Sequence, residues 1–196
     1  MTAKIILIRH GKTVGNLRGA YIGRTDEPLC PEGRTVLLAR KEASTYPAAD
    51  RIFTSPLIRC RETALLLYGT EGEVREGLRE MDFGAFEGKN YGELNGNPDY
   101  QRWIDAEGMI SFPDGEDPVD FRRRSAEAFR ELCKELADGE RAAVICHGGT
   151  IMAILDAFSS PHEDFYHWQT SCGCGYRFDF NVTAEIAENI RPIPEF

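Results

Sequence analysis

Residues 5–11 have the sequence Ile-Ile-Leu-Ile-Arg-His-Gly, and residues 143–149 have the sequence Ala-Val-Ile-Cys-His-Gly-Gly. Each segment is a short apolar run, typical of a strand that is buried on both faces, and each ends in a histidine followed by glycine. In open α/β sheets, ligands bind beyond the carboxyl ends of the parallel strands. If the two strands are neighbours, His10 and His147 therefore meet at one edge of the sheet.

The rest of the chain alternates predicted strands with predicted helices. Further strands are predicted at 51–54, 175–181 and 184–190, and helices at 31–46, 55–69, 120–136 and 151–158. Ser55 and Pro56 have the character of an N-cap and a first-turn proline for the second of these helices. An exposed, proline-containing tail is expected after the last strand.

This alternation predicts an α/β fold, a three-layer sandwich with a mostly parallel central sheet and helices on both faces. We expect a single domain over residues 1–196. Glycine, proline and charged residues are dense from about residue 70 to about residue 118, which predicts a small lid insert on that domain.

Net charge excludes some partners. Lys and Arg number 23 against 32 Asp and Glu, which gives a formal charge of −9 and argues against a nucleic-acid groove or an anionic membrane surface. No cationic n-region with an apolar h-region and no run of about 18 apolar residues is present, so neither a signal peptide nor a membrane span is expected. We therefore expect a cytoplasmic protein.

The cysteines do not predict a metal site or disulfides. All six are scattered over a chain without an export signal, where thiols normally stay reduced. His162, His167, Cys172 and Cys174 are residue types that zinc accepts. Their spacing contains no paired Cys-x-x-Cys, and Cys172 and Cys174 alternate as strand residues would, which argues against zinc.

Two arginines suggest what the histidines bind. Arg9 adjoins the first histidine, and Arg59 lies near the amino end of a predicted helix, where free N–H groups and the helix dipole favour an anion. The fork of a guanidinium suits phosphate in particular. Two histidines and two arginines at one sheet edge therefore predict a phosphate site.

Five motifs follow one another along roughly residues 4–158. They are Arg9-His10-Gly11, Asn16, Ser55-Pro56-Leu57 with Arg59, Glu80-Met-Asp-Phe-Gly84 with Glu87-Gly88, and His147-Gly148. In residue type and order they resemble the histidine phosphatase superfamily, the phosphoglycerate mutase-like group. Arg-His-Gly alone is a weak signal, but five motifs in register are specific.

The resemblance implies a reaction through a phosphohistidine. His10 would be the nucleophile, and Glu80 would protonate the leaving alkoxide and then activate water. For this, Glu80 should carry a raised pKa, supplied by partial burial. Neither a metal nor another cofactor is expected, because arginine and histidine side chains replace the metal charge.

The resemblance also implies which residues bind the substrate. The cationic pocket would be formed by Arg9, Arg59 and His147. Asn16 and Gly148 would add phosphate contacts, and Ile22 and Gly23 would contact the rest of the substrate. Thr13 and Thr150 each follow a His-Gly segment and are expected to cap helices or support the site.

The sequence alone leaves other roles open. Asp82 and Glu87 lie close to Glu80, and either could be the acid, or all three could be surface carboxylates. We favour Glu80 because the resemblance places the acid four residues before Gly84. Arg122–Arg124 could clamp a substrate carboxylate, although their place on the polar side of a predicted helix favours solvated charges.

Within the family, the resemblance favours the small phosphatases. Phosphoglycerate mutases that depend on a cofactor usually have tryptophan where this chain has Arg24, and the stretch Tyr21–Leu29 looks like that of alpha-ribazole phosphatases. The expected substrate is a small phosphorylated metabolite, such as alpha-ribazole 5′-phosphate or a sugar phosphate. A phosphoglycerate mutase and a catalytically silent phosphate-ligand binder stay as alternatives.

Two features leave substrate and assembly open. Residues 85–118 of the predicted lid carry five aromatic side chains that could stack on a ring or sugar but that more often form packing: Phe86, Tyr91, Tyr100, Trp103 and Phe112. The β-like end at residues 175–190 could supply an edge for a homodimer.

Overall fold

The computed structural model describes residues 1–194 and shows a six-stranded sheet with the strand order β3-β2-β4-β1-β5-β6. The strands are β1 (Thr2–Arg9), β2 (Arg51–Thr54), β3 (Glu73–Val74), β4 (Arg141–Cys146), β5 (Gly175–Asn181) and β6 (Ile186–Ile193). The first four strands are mutually parallel, whereas β5 runs antiparallel to β1, and β6 runs antiparallel to β5. The sheet is therefore mostly parallel, as the alternation of elements predicts.

Helices cover both faces of the sheet. They are α1 (Val14–Leu17), α2 (Pro31–Glu42), α3 (Ile58–Tyr68), α4 (Pro98–Asp105), α5 (Pro118–Lys134) and α6 (Gly148–Phe158). Successive residues of β1 point to opposite faces. Ile6 and Ile8 pack with residues of α2 and α3, while Leu7 packs with residues of α5 and α6. This confirms the three-layer sandwich and explains why the central strands are apolar throughout.

Local signals explain several element ends. The Asp117 side chain caps α5 by accepting hydrogen bonds from the N–H groups of Val119 and Asp120, and Pro118 occupies the first turn. Gly69 ends α3 in the left-handed conformation, with φ of 76°. Helix α2 ends at Glu42, earlier than predicted, and Ser44 adopts φ of 56° just beyond it.

The segment predicted as an insert has two parts. Its first residues contribute β3 to the edge of the main sheet beside β2. The later part forms a separate apolar cluster in which the buried Phe86, Leu94, Tyr100 and Phe112 pack with partly buried neighbours. This second cluster positions the segment that carries Glu80 and Phe83.

Three local predictions are wrong. Helix α3 begins at Ile58, whose N–H donates to Asp26 Oδ1 at 2.7 Å, so Ser55 and Pro56 precede it. Residues 172–174 form a turn around Gly173, with φ of 72°, and not a strand. Strand β6 continues to the buried Ile193, so the expected tail is paired with β5 up to that residue, although Arg191 and Pro192 are exposed as expected; residues 195–196 lie outside the described residues. Within residues 1–194, no helix combines the length and apolar character that crossing a membrane requires.

Candidate active site

The two histidines meet at the carboxyl ends of adjacent strands. β1 and β4 are parallel neighbours in which Arg9 is level with Cys146, so each histidine follows its strand at the same height. The backbone N–H of His10 donates to the carbonyl of Cys146 at 3.0 Å, and the two imidazole centroids lie 5.1 Å apart. The repeated strand-His-Gly pattern therefore predicted this juxtaposition correctly.

His10 is held as a neutral imidazole with one nitrogen available. Its Nδ1 lies 2.7 Å from the carbonyl oxygen of Gly11. Because a carbonyl oxygen can only accept, Nδ1 carries the hydrogen and Nε2 keeps its lone pair. Burial, and then the charges of Arg59 and Arg9, lower the pKa of His10 well below its ordinary value. The side chain thus has the protonation state and tautomer that a nucleophile needs.

The two arginines present buried N–H donors without partners. Arg59 is fully buried and donates Nη1–H to the carbonyl of Thr25 at 2.7 Å and Nη2–H to that of Gly23 at 2.8 Å. Arg9 donates Nη1–H to the carbonyl of Thr170 at 2.6 Å. The Nε atoms of both arginines are buried and unpartnered. Such donors normally find an acceptor, so this pair marks an anion site.

The partly buried carboxylate of Glu87 fixes the loop that holds Arg59. Glu87 Oε1 accepts hydrogen bonds from the N–H groups of Gly23 and Arg24, both at 2.9 Å, and Oε2 accepts from the Thr25 hydroxyl at 2.7 Å. A Cβ on Gly23 would lie 1.8 Å from the carbonyl oxygen of Met81. Only glycine fits there, and the loop carbonyls are thereby aimed at the Arg59 guanidinium.

Glu80 reaches the same cavity with a favourable environment for holding a proton. Its Oε1 accepts from the N–H of Met81 and its Oε2 from the N–H of Gly149, both at 3.0 Å. Burial raises the pKa of Glu80, and this exceeds the lowering by the two backbone hydrogen bonds and the nearby arginines. The raised pKa is the property that the resemblance requires of a general acid.

The two competing carboxylates are used elsewhere. Glu87 is occupied by the loop described above, and its oxygens do not line the cavity in front of His10. Asp82 Oδ1 accepts from the N–H of Gly84 at 2.8 Å, and Oδ2 pairs with Arg24 at 3.2 Å. Of the three candidates, Glu80 is the one that lines this cavity.

His147 is supported by residues whose roles the sequence did not reveal. Its Nε2 and the Ser55 hydroxyl are hydrogen-bonded at 2.7 Å, and Cys60 Sγ lies 3.5 Å from the same nitrogen. Burial, followed by the charge of Arg59, lowers the pKa of His147 well below its ordinary value. A neutral imidazole is therefore favoured here, in contrast to the cation that the resemblance implies. Ser55 resembles an N-cap in sequence, which hid this contact.

Asn16 and Gly148 lie where the resemblance places them. Asn16 Oδ1 accepts from the N–H and hydroxyl of Thr13 at 3.1 and 2.9 Å, so the amide nitrogen is the end left to donate. Thr13 is the N-cap of α1, as expected. Gly148 begins α6, and a Cβ there would lie 3.3 Å from the guanidinium carbon of Arg9. Thr150 lies inside α6, not at its cap, and donates to the Arg79 carbonyl at 3.2 Å.

The cavity in front of His10 has a volume of about 310 Å³ and a wall of both polar and apolar residues. Arg9, His10, Asn16, Glu80, Gly148 and Gly149 line it, whereas the fully buried Arg59 and His147 lie behind its surface. The remaining lining residues are Ala20, Tyr21, Ile22, Met81, Phe83, Phe121, Met152, Phe165, Tyr166 and Gln169. Of the two residues expected to contact the rest of the substrate, Ile22 lines this wall, whereas Gly23 supports Arg59.

The five aromatic residues singled out between residues 85 and 118 do not line this cavity, although Phe83, just before them, does. Four of them pack in the second apolar cluster, as the packing interpretation predicted, and Tyr91 is 77% exposed. Phe165, Tyr166 and Gln169 were missed by the sequence argument. Their one signal is the aromatic run that begins at Phe165, after α6.

None of the three arginines Arg122–Arg124 lines the cavity in front of His10. Arg124 pairs with Glu116 and donates Nη2–H to the carbonyl of Glu80 at 3.0 Å. Arg122 lies over the Phe165 ring at 4.1 Å and pairs with Asp156. Arg123, with a side chain 65% exposed, pairs with Asp120 on the same helix. The prediction of solvated charges is therefore correct for Arg123 and wrong for the other two, whose side chains are partly buried.

Within residues 1–194, no three His, Cys, Asp or Glu side chains are grouped to hold a metal ion, and the six cysteines are free thiols. Burial raises the pKa of the Cys60 thiol to about 12, so this group beside His147 stays protonated.

Comparison with known proteins agrees with this geometry. The family model of the histidine phosphatase superfamily (branch 1) matches residues 5–185. The chain belongs to this superfamily. A crystal structure of the alpha-ribazole phosphatase from Shigella flexneri is 25% identical, with a TM-score of 0.81, and the match covers 100% of this chain and 96% of the other.

Relatives within the superfamily have different names. A protein of Hydrogenobacter thermophilus, named as a candidate phosphoserine phosphatase, is 33% identical over 78% of this chain and 76% of its own length. A 2,3-bisphosphoglycerate-dependent phosphoglycerate mutase of Gloeobacter violaceus is 31% identical over 78% and 74%. The adenosylcobalamin/alpha-ribazole phosphatase of Salmonella typhimurium is 26% identical over 90% of both chains. This superfamily member is thus similar to both phosphatases and mutases.

Proposed function

We propose that this chain is a phosphomonoesterase that acts on a small phosphorylated metabolite through a phosphohistidine at His10. One observation carries the proposal: two buried, unpartnered N–H groups, on Arg9 and Arg59, beside a neutral histidine. A phosphoryl group offers both the acceptor oxygens and the negative charge that these donors lack. The same donors stabilise the charge on the equatorial oxygens of the transition state, without a requirement for a metal.

The reaction has two displacements. In the first, Nε2 of His10 attacks phosphorus, the bond from phosphorus to the alcohol oxygen breaks, and Glu80 gives its proton to that oxygen. The raised pKa of Glu80 supports the protonated state in which this step begins. In the second, the Glu80 carboxylate takes a proton from water, and the water oxygen attacks the phosphohistidine. The bond between phosphorus and Nε2 breaks, its electron pair returns to Nε2, and inorganic phosphate leaves.

The relatives are all named as enzymes that act on a phosphoryl group, but their names give different substrates. We therefore propose hydrolysis of a small monoester, with alpha-ribazole 5′-phosphate, a sugar phosphate and phosphoserine as substrates to test. Ile22 is proposed to contact the alcohol half of the substrate, and Asn16 and Gly148 its phosphate. Gly23 is proposed to act on substrate only through Arg59.

Phosphate release from these esters in excess chelator tests the proposal. Wild type is compared with His10→Ala and with His167→Ala, which removes an exposed histidine outside the cavity. We expect release that resists chelator, is lost in His10→Ala and persists in His167→Ala. Release that stops with chelator, or that continues in His10→Ala, contradicts the proposal.

A mutase shares the first displacement and returns the phosphoryl group to a phosphoglycerate instead of to water. A second assay supplies 3-phosphoglycerate with 2,3-bisphosphoglycerate. Isomerisation without phosphate release would assign the chain to the mutases. Binding of phosphate esters without turnover, and without labelling of His10, would assign it to the silent phosphate-ligand binders.

We also propose that the chain is a single domain, acts in the cytoplasm and forms a homodimer. The homodimer is suggested by the edge position of β6 in the sheet, since an edge strand offers unpaired backbone groups to a second copy. Light scattering on the purified protein tests the assembly. A mass of one chain contradicts the homodimer.

A further inference from the structure

The wall of the cavity has little charge to offer a substrate. Of the residues that line it, Arg9 and Glu80 are the charged ones, and both serve the phosphoryl group in the proposed reaction. The same wall contains Phe121, Met152 and Phe165, which belong to or pack on one small apolar cluster, and the uncharged polar residues Tyr21, Tyr166 and Gln169. The alcohol half of a bound ester would therefore rest against rings and thioethers.

The neighbouring cations are already paired. Arg122 faces Asp156 at 3.6 Å and covers the Phe165 ring. Arg124 is held by Glu116 and by three backbone carbonyls, those of Gly77, Arg79 and Glu80. A further anionic group on the substrate would have to displace one of these pairs to gain a partner.

The space on the other side of Glu80 does not supply an anion site either. That cavity, of about 400 Å³, is lined by Arg24, Arg79 and Arg124, but also by Glu80 and by Asp82, Asp114 and Glu116. Arg24 pairs with Asp82, and Arg79 lies 3.9 Å from Glu76. A carboxylate or second phosphate there would meet carboxylates as well as neutralised arginines.

We propose that the site selects monoesters whose alcohol half is uncharged and apolar, a flat ring or an alkyl chain, and discriminates against esters that carry a carboxylate or a second phosphate. This inference rests on the proposed phosphatase function. Its physical basis is desolvation: an anionic group against this wall loses water and gains no cationic partner, while an apolar group buries surface. A cavity of about 310 Å³ fits a small alcohol of this kind.

A matched pair of substrates separates the effect of the cavity wall on binding from the effect of the leaving group on the reaction. 2-Phenylethyl phosphate and the same ester with a carboxylate at the para position of the ring have nearly equal leaving groups. We expect kcat/KM to be about 100-fold higher for the uncharged ester, since a buried carboxylate without a partner is strongly disfavoured. Serine phosphate and 3-phosphoglycerate, which also carry a carboxylate, should likewise have a low kcat/KM.

Met152→Lys tests the same wall from the side of the protein. Met152 is partly buried on α6, so a lysine stem can follow the wall and carry a cation into the cavity. We expect the preference between the two esters to shrink by about tenfold or more. Leu65→Lys, which adds the same charge on an exposed part of α3 outside the cavity, should keep the wild-type preference.

Each outcome bears on a different claim. Equal kcat/KM for the two esters in the wild type, or an unchanged preference in Met152→Lys, overturns the inference and leaves the proposed phosphatase standing, because phosphate is still released. No release from either ester and no phosphoryl label on His10 overturns the proposed function itself, and the inference with it. A strong preference that Met152→Lys reduces supports both.

Discussion

The two ends of the cavity are built in opposite ways. At the phosphate end, His10 and His147 follow paired strands, Arg59 is held by loop carbonyls and the His147 ring by the Ser55 hydroxyl, so these groups are fixed by hydrogen bonds. At the other end, the wall consists of side chains from several separate segments held by apolar contacts. The first end fixes the reaction, and the second can change the substrate without disturbing it.

The largest effect should come from the phosphate end. Arg59→Lys keeps a positive charge but removes the planar fork and its Nε–H. We expect kcat/KM to fall by about 100- to 1,000-fold, as for the loss of one donor to a transition-state oxygen. Phosphate release measures it. The control is Arg61→Lys on the same helix, which is exposed and pairs with Glu71. A fall in kcat/KM of less than about tenfold would show that Arg59 does not stabilise the transition state.

The general acid is tested by the quality of the leaving group. Glu80→Gln should lower kcat/KM for alkyl phosphates by about 100-fold or more. For p-nitrophenyl phosphate the loss should be much smaller, because that leaving group departs without a proton. Asp82→Asn should show neither effect. Equal losses for both classes of ester in Glu80→Gln would contradict the assignment.

The pH profile of kcat/KM follows from the two shifted groups. Because burial and the arginines lower the pKa of His10, its neutral form persists to pH values below the ordinary histidine range, and the acid limb lies there. Because burial raises the pKa of Glu80, activity extends above the ordinary glutamate range and then falls about tenfold per pH unit. After correction for ionisation of the ester, Glu80→Gln should abolish the alkaline limb. An alkaline limb unchanged in that variant would be the opposing result.

Removal of the Glu87 carboxylate, which holds the loop around Arg59, should have the smallest effect on catalysis. Glu87→Ala removes the acceptor that holds the loop around Gly23 and Thr25. We expect KM to rise by about tenfold and the free energy of unfolding to fall by about 2 kcal/mol. Urea unfolding and steady-state kinetics measure the two. Glu93→Gln, on an exposed carboxylate paired with Arg18, is the control. Unchanged kinetics would show that Arg59 holds its position without this loop.

The contrast between the two ends also explains what could be predicted from the sequence. His10, His147 and Arg59 are attached to strand and helix ends, so local patterns and strand adjacency place them. The wall depends on how the segment after α6 packs on α5 and α6, and no local pattern encodes that meeting of Met152 and Phe165. The parallel core strands were predicted for the same local reasons.

The residues whose roles were predicted wrongly from the sequence were misjudged for one reason. Ser55 has the sequence context of an N-cap, and its hydrogen bond to His147 joins residues far apart in the chain. Glu87 looked like a possible acid, because a sequence does not show which donors surround a carboxylate. Arg124 looked solvated, because its partner carbonyls lie in a distant loop. In each case, a long-range hydrogen bond overrides the local pattern.

The most direct test of the account is to trap the phosphoryl group on the protein. Wild type mixed with an ester carrying a radiolabelled phosphoryl group, quenched within one turnover, should give an acid-labile label that maps to His10. The label should form and decay fast enough to account for turnover and should be absent from His10→Ala. Turnover without a trapped label, or a label on another residue, would contradict the central claim.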